Sequence, residues 1–176
     1  MNKKLTEIIN NLKGSLLGIG LNDDTLLDAI EKNDSIYTCY LLTNISKTGK
    51  KFSMTKRGKN KKINIKKIKK YFKKKSLNTI VCNFDIIKKF QRSFVPNSVY
   101  LNNGTLYIYG QKEELENLKL KYQRYTKDIS IEKADDFYIM KINNQNTKNN
   151  FFKDTFFKIK DFGSDVIELI TDILIN

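Results

Sequence analysis

The stretch Gly14-Ser15-Leu16-Leu17-Gly18-Ile19-Gly20-Leu21-Asn22-Asp23-Asp24, running on into Thr25-Leu26-Leu27-Asp28-Ala29-Ile30, decides how this chain is read. Leu16, Leu17 and Ile19 make a short apolar run, which the pattern assigns to a buried strand. Gly18 and Gly20 permit close backbone approach or a positive φ. Asn22 or Asp23 supplies an N-cap ahead of Leu26, Leu27 and Ile30, which are spaced for one helix face. A strand that breaks on glycine into a helix N-terminus is where α/β proteins hold nucleotide-type ligands. The alternative reading is a tight strand-to-helix connection whose glycines serve packing alone.

Working outward, Leu5, Ile8, Ile9 and Leu12 recur at helical spacing and predict an entry helix over 3–13, stopped by Gly14. Ile36–Leu42 is rich in β-branched and aromatic residues and reads as a second strand, its near-continuous apolarity implying burial on both faces. Residues 44–62 are low in complexity and are expected to form a basic loop. Ile63, Ile65, Ile68, Tyr71 and Phe72 then predict an amphipathic crossover helix over 63–75. Tyr71 and Phe72 are adjacent, so they cannot both face the core with Ile68. A buried strand over 77–84 and a helix over 85–94 follow, with Pro96 closing that unit. Asp85 is the expected cap of that helix.

Val99–Leu101 and Thr105–Tyr109 flank Asn102-Asn103-Gly104, which is a hairpin signal. A helix over 111–124 puts Leu115, Leu118 and Tyr122 inward, and 127–132 with 137–142 form a closing antiparallel pair. The expected architecture is α/β: a three-layer sandwich with a mostly parallel sheet and a C-terminal antiparallel hairpin. It occupies residues 1–143, with 144–150 as a linker and 151–176 as a C-terminal amphipathic helix. That helix docks on its own domain or pairs with a partner, including a second copy. Asp161, Asp165, Glu168 and Asp172 suit it poorly to an anionic membrane surface.

Composition narrows the chemistry. The chain has 176 residues, no histidine, and two isolated cysteines, Cys39 and Cys82, each within an apolar run. That argues against a zinc site and removes Ser-His-Asp and Cys-His catalysis. No apolar run approaches the ~18 residues of a membrane span, and the N-terminus lacks the apolar core of a signal peptide. The expected location is cytoplasmic, with no resident metal. The formal charge of +14 is unevenly placed, because Ser35–Phe84 holds 15 Lys/Arg and no Asp or Glu. Two readings stay open. One is a basic surface over Lys56, Arg57, Lys59, Lys61, Lys62, Lys66 and Lys70 that attracts RNA or another polyanion. The other is compositional drift, since only three of 33 basic residues are the arginines that phosphate-reading sites favour.

Charge also bears on the glycine turn. Asp23 and Asp24 stand where a phosphate would bind, and they suit the helix dipole while repelling an anion. A ligand carrying a cationic ammonium or sulfonium beside an adenosine fits better than a pyrophosphate. Here the chain resembles class I S-adenosylmethionine-dependent methyltransferases, over about residues 10–143. The resemblance rests on element order and on Leu16-Leu17-Gly18-Ile19-Gly20-Leu21-Asn22-Asp23-Asp24, which is similar to the family's first motif. Gly20 matches the first loop glycine. Gly18 stands where that family usually carries an acid, and Asn22 and Asp24 where further glycines are usual. The family's ribose-binding acid falls near Thr43 or Asn44, and no carboxylate is there.

The resemblance implies a cofactor turn shaped by Gly18, Gly20, Asn22, Asp23 and Asn44. It also implies a residue that orients the transfer, matched by Asn83 in Val81-Cys82-Asn83-Phe84-Asp85. Methyl transfer needs chiefly proximity and alignment, so it does not require a histidine. Two functions follow as expectations. The first is a divergent S-adenosylmethionine-binding, methyltransferase-like protein acting on RNA. The alternative is a non-catalytic module that binds nucleic acid or a partner on a degenerate methyltransferase fold.

Overall fold

The structure is a computed structural model that describes residues 3–42 and 65–144. The expected basic loop, residues 145–150 of the expected linker and the C-terminal helix lie outside the described residues, as do Asn44, Lys56, Arg57, Lys59, Lys61 and Lys62; the first expected linker residue, Asn144, is instead buried in the domain. In chain order the elements are α1 (Lys3–Asn10), β1 (Gly14–Ile19), α2 (Asp24–Lys32), β2 (Ile36–Leu42), a 3₁₀ turn at Ile65–Lys70, β3 (Leu77–Asn83) and the single-turn α3 (Phe84–Ile87). A 3₁₀ turn at Lys88–Phe90, α4 (Gln91–Leu101), β4 (Asn102–Gly110), α5 (Lys112–Tyr122), β5 (Ile129–Ala134) and β6 (Phe137–Asn143) complete the described part.

The described strands form a six-stranded sheet in the order β2-β1-β3-β4-β6-β5. β2, β1, β3 and β4 run parallel, and β6 lies antiparallel between β4 and β5. Alternation along the strands divides the core between the two faces. Leu16, Cys39 and Val81 pack with Leu5, Ile9, Leu26 and Ile30 of α1 and α2. Leu17, Ile80, Cys82, Leu106, Ile108 and Met140 pack on the other face with Phe94, Val99, Leu115 and Tyr122 of α4 and α5. The three layers and the closing antiparallel pair agree with the sequence reading.

Four local expectations are corrected. Val99–Tyr109 is not a hairpin: α4 runs through Pro96 to Leu101, and Asn102 opens β4, which pairs parallel with β3. A proline inside a helix costs about 3 kcal/mol, here set against the burial of Phe94, Val95, Val99 and Leu101. The turn chemistry of Asn102 is real but local, its Oδ1 accepting the Gly104 N–H at 3.1 Å while the chain stays extended. Because α4 passes into β4 with no loop, its last carbonyls need partners from elsewhere. Asn144 Nδ2 donates to the carbonyls of Val99 (2.9 Å) and Asn102 (2.8 Å). Lys75 donates its backbone N–H to Tyr100 at 3.0 Å and its Nζ to Asn102 at 2.9 Å. Neither partner is near α4 in sequence.

Second, the 85–94 helix is broken into α3, a 3₁₀ turn and the start of α4. Its cap is Asn83, whose Oδ1 accepts the Asp85 N–H at 2.9 Å. Third, the 63–75 helix is a 3₁₀ turn over Ile65–Lys70. Ile68 is buried, Phe72 packs edge-on to Tyr40 with ring centroids 5.0 Å apart, and Tyr71 is exposed. Lysine-rich sequence with few apolar anchors does not sustain a longer helix against the sheet. Fourth, β2 is an edge strand among the described residues, and Tyr37 near its start is 67% exposed. Its apolarity therefore does not mean burial on both faces.

Candidate functional site

In an open parallel sheet, ligands bind beyond the carboxyl ends of the strands where the strand order reverses. Here that switch point lies between β1 and β3, and it joins Gly20 to Asn83. The φ of Gly20 is +70°, a left-handed conformation that a side chain strains. Its N–H donates to the Leu42 carbonyl at 2.8 Å, continuing the β1–β2 ladder by one residue. Asp23 then caps α2, its Oδ1 accepting the Thr25 N–H at 2.8 Å. Asp23 is half-buried, and Asn22 and Asp24 are exposed beside it.

The structure thus brings Gly18, Gly20, Asn22, Asp23 and Asn83 to one end of the sheet. It gives each glycine a packing role. A Cβ built at Gly18 would lie 2.7 Å from Leu21 Cδ1 and 2.9 Å from Leu41 Cδ2. At Gly20 it would lie 2.6 Å from Ile86 Cγ1 and 3.0 Å from Asn83 Cβ. The concavities are therefore taken by the chain's own side chains. Leu21 folds back fully buried, and Ile86 reaches across from α3.

Asn83 is also committed. Its Oδ1 caps α3, and its side chain is a hydrogen-bonding neighbour of the Tyr109 hydroxyl. That hydroxyl donates to the Gly20 carbonyl at 3.1 Å, tying the carboxyl ends of β4 and β1 together across β3. Burial pushes the Tyr109 hydroxyl well above its ordinary range, with the nearby Cys82, Asp23 and Asp85 acting in the same direction and Asn83 against it. A phenol so held stays protonated and serves as a donor. Cys82 is fully buried and its thiol is pushed up, while burial raises Cys39 to about 12, so both are inert as nucleophiles near neutrality. Among the described residues no three His, Cys, Asp or Glu side chains gather as a metal-holding group.

Sequence reasoning does not single out Tyr109, which it places in the hairpin, or Ile86, which falls within the expected 85–94 helix. The available signal was the Tyr109-Gly110 pair closing an apolar strand, which places an aromatic at the same sheet end as Gly20. Of the basic candidates, Lys70 is exposed at the end of the 3₁₀ turn, and Lys66 lies within that turn.

An S-adenosylmethionine site of the kind the resemblance implies needs room over the glycine turn and an acid for the ribose. At this turn Ile86 stands against Gly20 and Leu21 against Gly18, and Gly18 replaces the first acid. The stretch from Ser35 to Phe84, which includes the end of β2, holds no carboxylate.

No protein-family model matches this sequence, and no curated protein matches it by sequence. Solved structures do match in fold. A predicted O-methyltransferase from Agrobacterium tumefaciens aligns with a TM-score of 0.54 at 6% identity, over 79% of this chain and 79% of that one. Spermidine synthase from Thermotoga maritima aligns at 0.53 with 11% identity, over 80% of this chain and 56% of that one. A tRNA (m1A58) methyltransferase from Aquifex aeolicus aligns at 0.50 with 10% identity, over 80% and 68%. This chain thus spans little more than half the length of the synthase. Identities this low speak to architecture alone, and on that architecture the chain has a class I methyltransferase-like Rossmann fold.

Proposed function

We propose that this chain is a non-catalytic nucleic-acid-binding module built on a methyltransferase-like fold. The observation that carries the reading is Ile86 Cγ1 seated in the concavity of Gly20, with Asn83 engaged as a helix cap beside it. A turn closed in this way supports the strand-to-helix connection and offers no cradle for an adenosyl group. The nucleic-acid part rests on charge. Fifteen basic residues without an intervening acid over Ser35–Phe84 attract a polyanion, with RNA as the proposed partner. Isothermal calorimetry with S-adenosylmethionine and S-adenosylhomocysteine at high micromolar concentration is expected to show no saturable heat. Saturable heat with the wild-type chain overturns the non-catalytic reading.

A second reading is favoured by one observation: Ile86 is 36% exposed on a single-turn helix, so its displacement would uncover Gly20 and Asn83 at the switch point. In that reading the chain is a divergent S-adenosylmethionine-binding methyltransferase acting on RNA. Gly20, Asn22 and Asp23 would shape the turn, and Asn83 would orient the transfer. Calorimetric binding together with methyl incorporation into RNA would establish it.

A further inference from the structure

The described residues expose few large apolar side chains, and two of them are Tyr37, on β2, and Tyr71, just after the lysine-rich 3₁₀ turn. Tyr37 is 67% exposed on the edge strand, its hydroxyl donating to Asn78 Oδ1 at 3.2 Å. Tyr71 is 46% exposed and adjoins Phe72, whose ring packs on Tyr40 of the same strand. Asn78 Oδ1, which accepts the Tyr37 hydroxyl, also accepts from the Ser15 hydroxyl, which lies 2.9 Å from the Ser76 carbonyl, two residues beyond Lys74. Lys69, Lys70, Lys73 and Lys74 flank Tyr71, all exposed. None of the four enters an ion pair among the described residues. The adjacent Lys75 is turned inward onto the end of α4 and leaves this surface to its neighbours.

An exposed tyrosine on a neutral surface is ordinary, but exposed tyrosines next to lysines that form no ion pair among the described residues are what single-stranded nucleic acid requires. Each base offers a π-face to an aromatic ring, while each phosphate is met by a cation. A duplex hides its base faces and would use the lysines only. An acidic protein would likewise use the lysines and gain nothing specific from the rings.

We infer that Tyr37 and Tyr71, with Lys69, Lys70, Lys73 and Lys74, form a sequence-tolerant surface for single-stranded nucleic acid along the β2 edge, apart from the switch-point crevice. This inference rests on the nucleic-acid reading above and adds its strand state and its contact residues.

The test is fluorescence anisotropy of a fluorescein-labelled 12-nucleotide oligouridine with the full chain, over a range of salt. Tyr37→Ala and Tyr71→Ala are each expected to weaken binding roughly fivefold or more. The two rings act on different bases, so the double variant multiplies the losses. Tyr37→Phe and Tyr71→Phe keep the ring and are expected to bind as the wild type does. Lys73→Ala and Lys74→Ala are each expected to reduce the salt slope by about 0.7. Unchanged affinity in both Tyr→Ala variants, with the wild type binding, overturns this inference and leaves the nucleic-acid reading standing. So does a duplex of equal length that binds as tightly as the single strand, or poly-glutamate that displaces it at equal charge. Absence of wild-type binding at about 50 mM salt overturns both.

Discussion

Replacing Gly20 with alanine tests whether the crevice is closed by the protein itself. The backbone there sits at φ +70°, and a non-glycine residue held in left-handed conformation costs about 1–2 kcal/mol. The new methyl would also stand 2.6 Å from Ile86 Cγ1 and 3.0 Å from Asn83 Cβ, closer than carbon atoms approach without displacement. Overpacking of this kind costs about 1–3 kcal/mol. Gly20→Ala should therefore lose about 3 kcal/mol, equivalent to about 6–12 °C in Tm for a chain of this size. The steric part should be relieved by Ile86→Ala, because Ile86 is partly exposed and its truncation is cheap. The conformational part should remain. A double-mutant cycle in urea is then expected to show about 1–2 kcal/mol of favourable coupling between the two sites. Coupling near zero would mean that Ile86 does not occupy the Gly20 concavity, and the argument for a closed crevice would fail with it.

Two further outcomes follow from the geometry. Asn144→Ala removes a buried amide that donates to the carbonyls of Val99 and Asn102, and about 2–3 kcal/mol of stability should be lost. A lower urea midpoint at unchanged m-value would show it. The buried thiols give a pH dependence. In the unfolded chain Cys39 ionises near 9.0, whereas in the native state burial holds it protonated to about 12. The unfolded state thus binds fewer protons over that interval, so stability is full below about pH 9 and declines as pH rises toward about 12, with Cys82, Tyr109 and Tyr122 adding in the same direction. Thermal melts from pH 8 to 11 should show this fall. At pH 8 neither thiol should react with an aromatic disulfide reagent until denaturant is added.

Side-chain periodicity made most of the architecture legible in the sequence. The Leu16–Ile19 run, the Asp23 cap, the inward face of Leu115, Leu118 and Tyr122, and the final antiparallel pair are all local patterns in which neighbouring residues specify the conformation. Two of the differences share one cause. Asn102-Asn103-Gly104 carries a true turn signal, and Pro96 a true helix-stop signal. Both are overridden by distant groups: Lys75 and Asn144, which cap α4, and the core, which buries Phe94 and Val99.

The glycine turn divides along the same line. Local pattern specifies that a strand breaks at Gly18–Gly20 into a capped helix, that aspartates rather than glycines line the helix start, and that basic charge is concentrated over Ser35–Phe84. What those glycines face depends on long-range packing. Gly20 meets Ile86 and Asn83 from β3 and α3, more than 60 residues away, and Tyr109 reaches its carbonyl from 89 positions on. Contacts of that range depend on sheet order and strand register, which local pattern does not encode. A glycine that admits a ligand and one that admits a neighbouring side chain therefore look alike in sequence and differ only in what the fold brings against them.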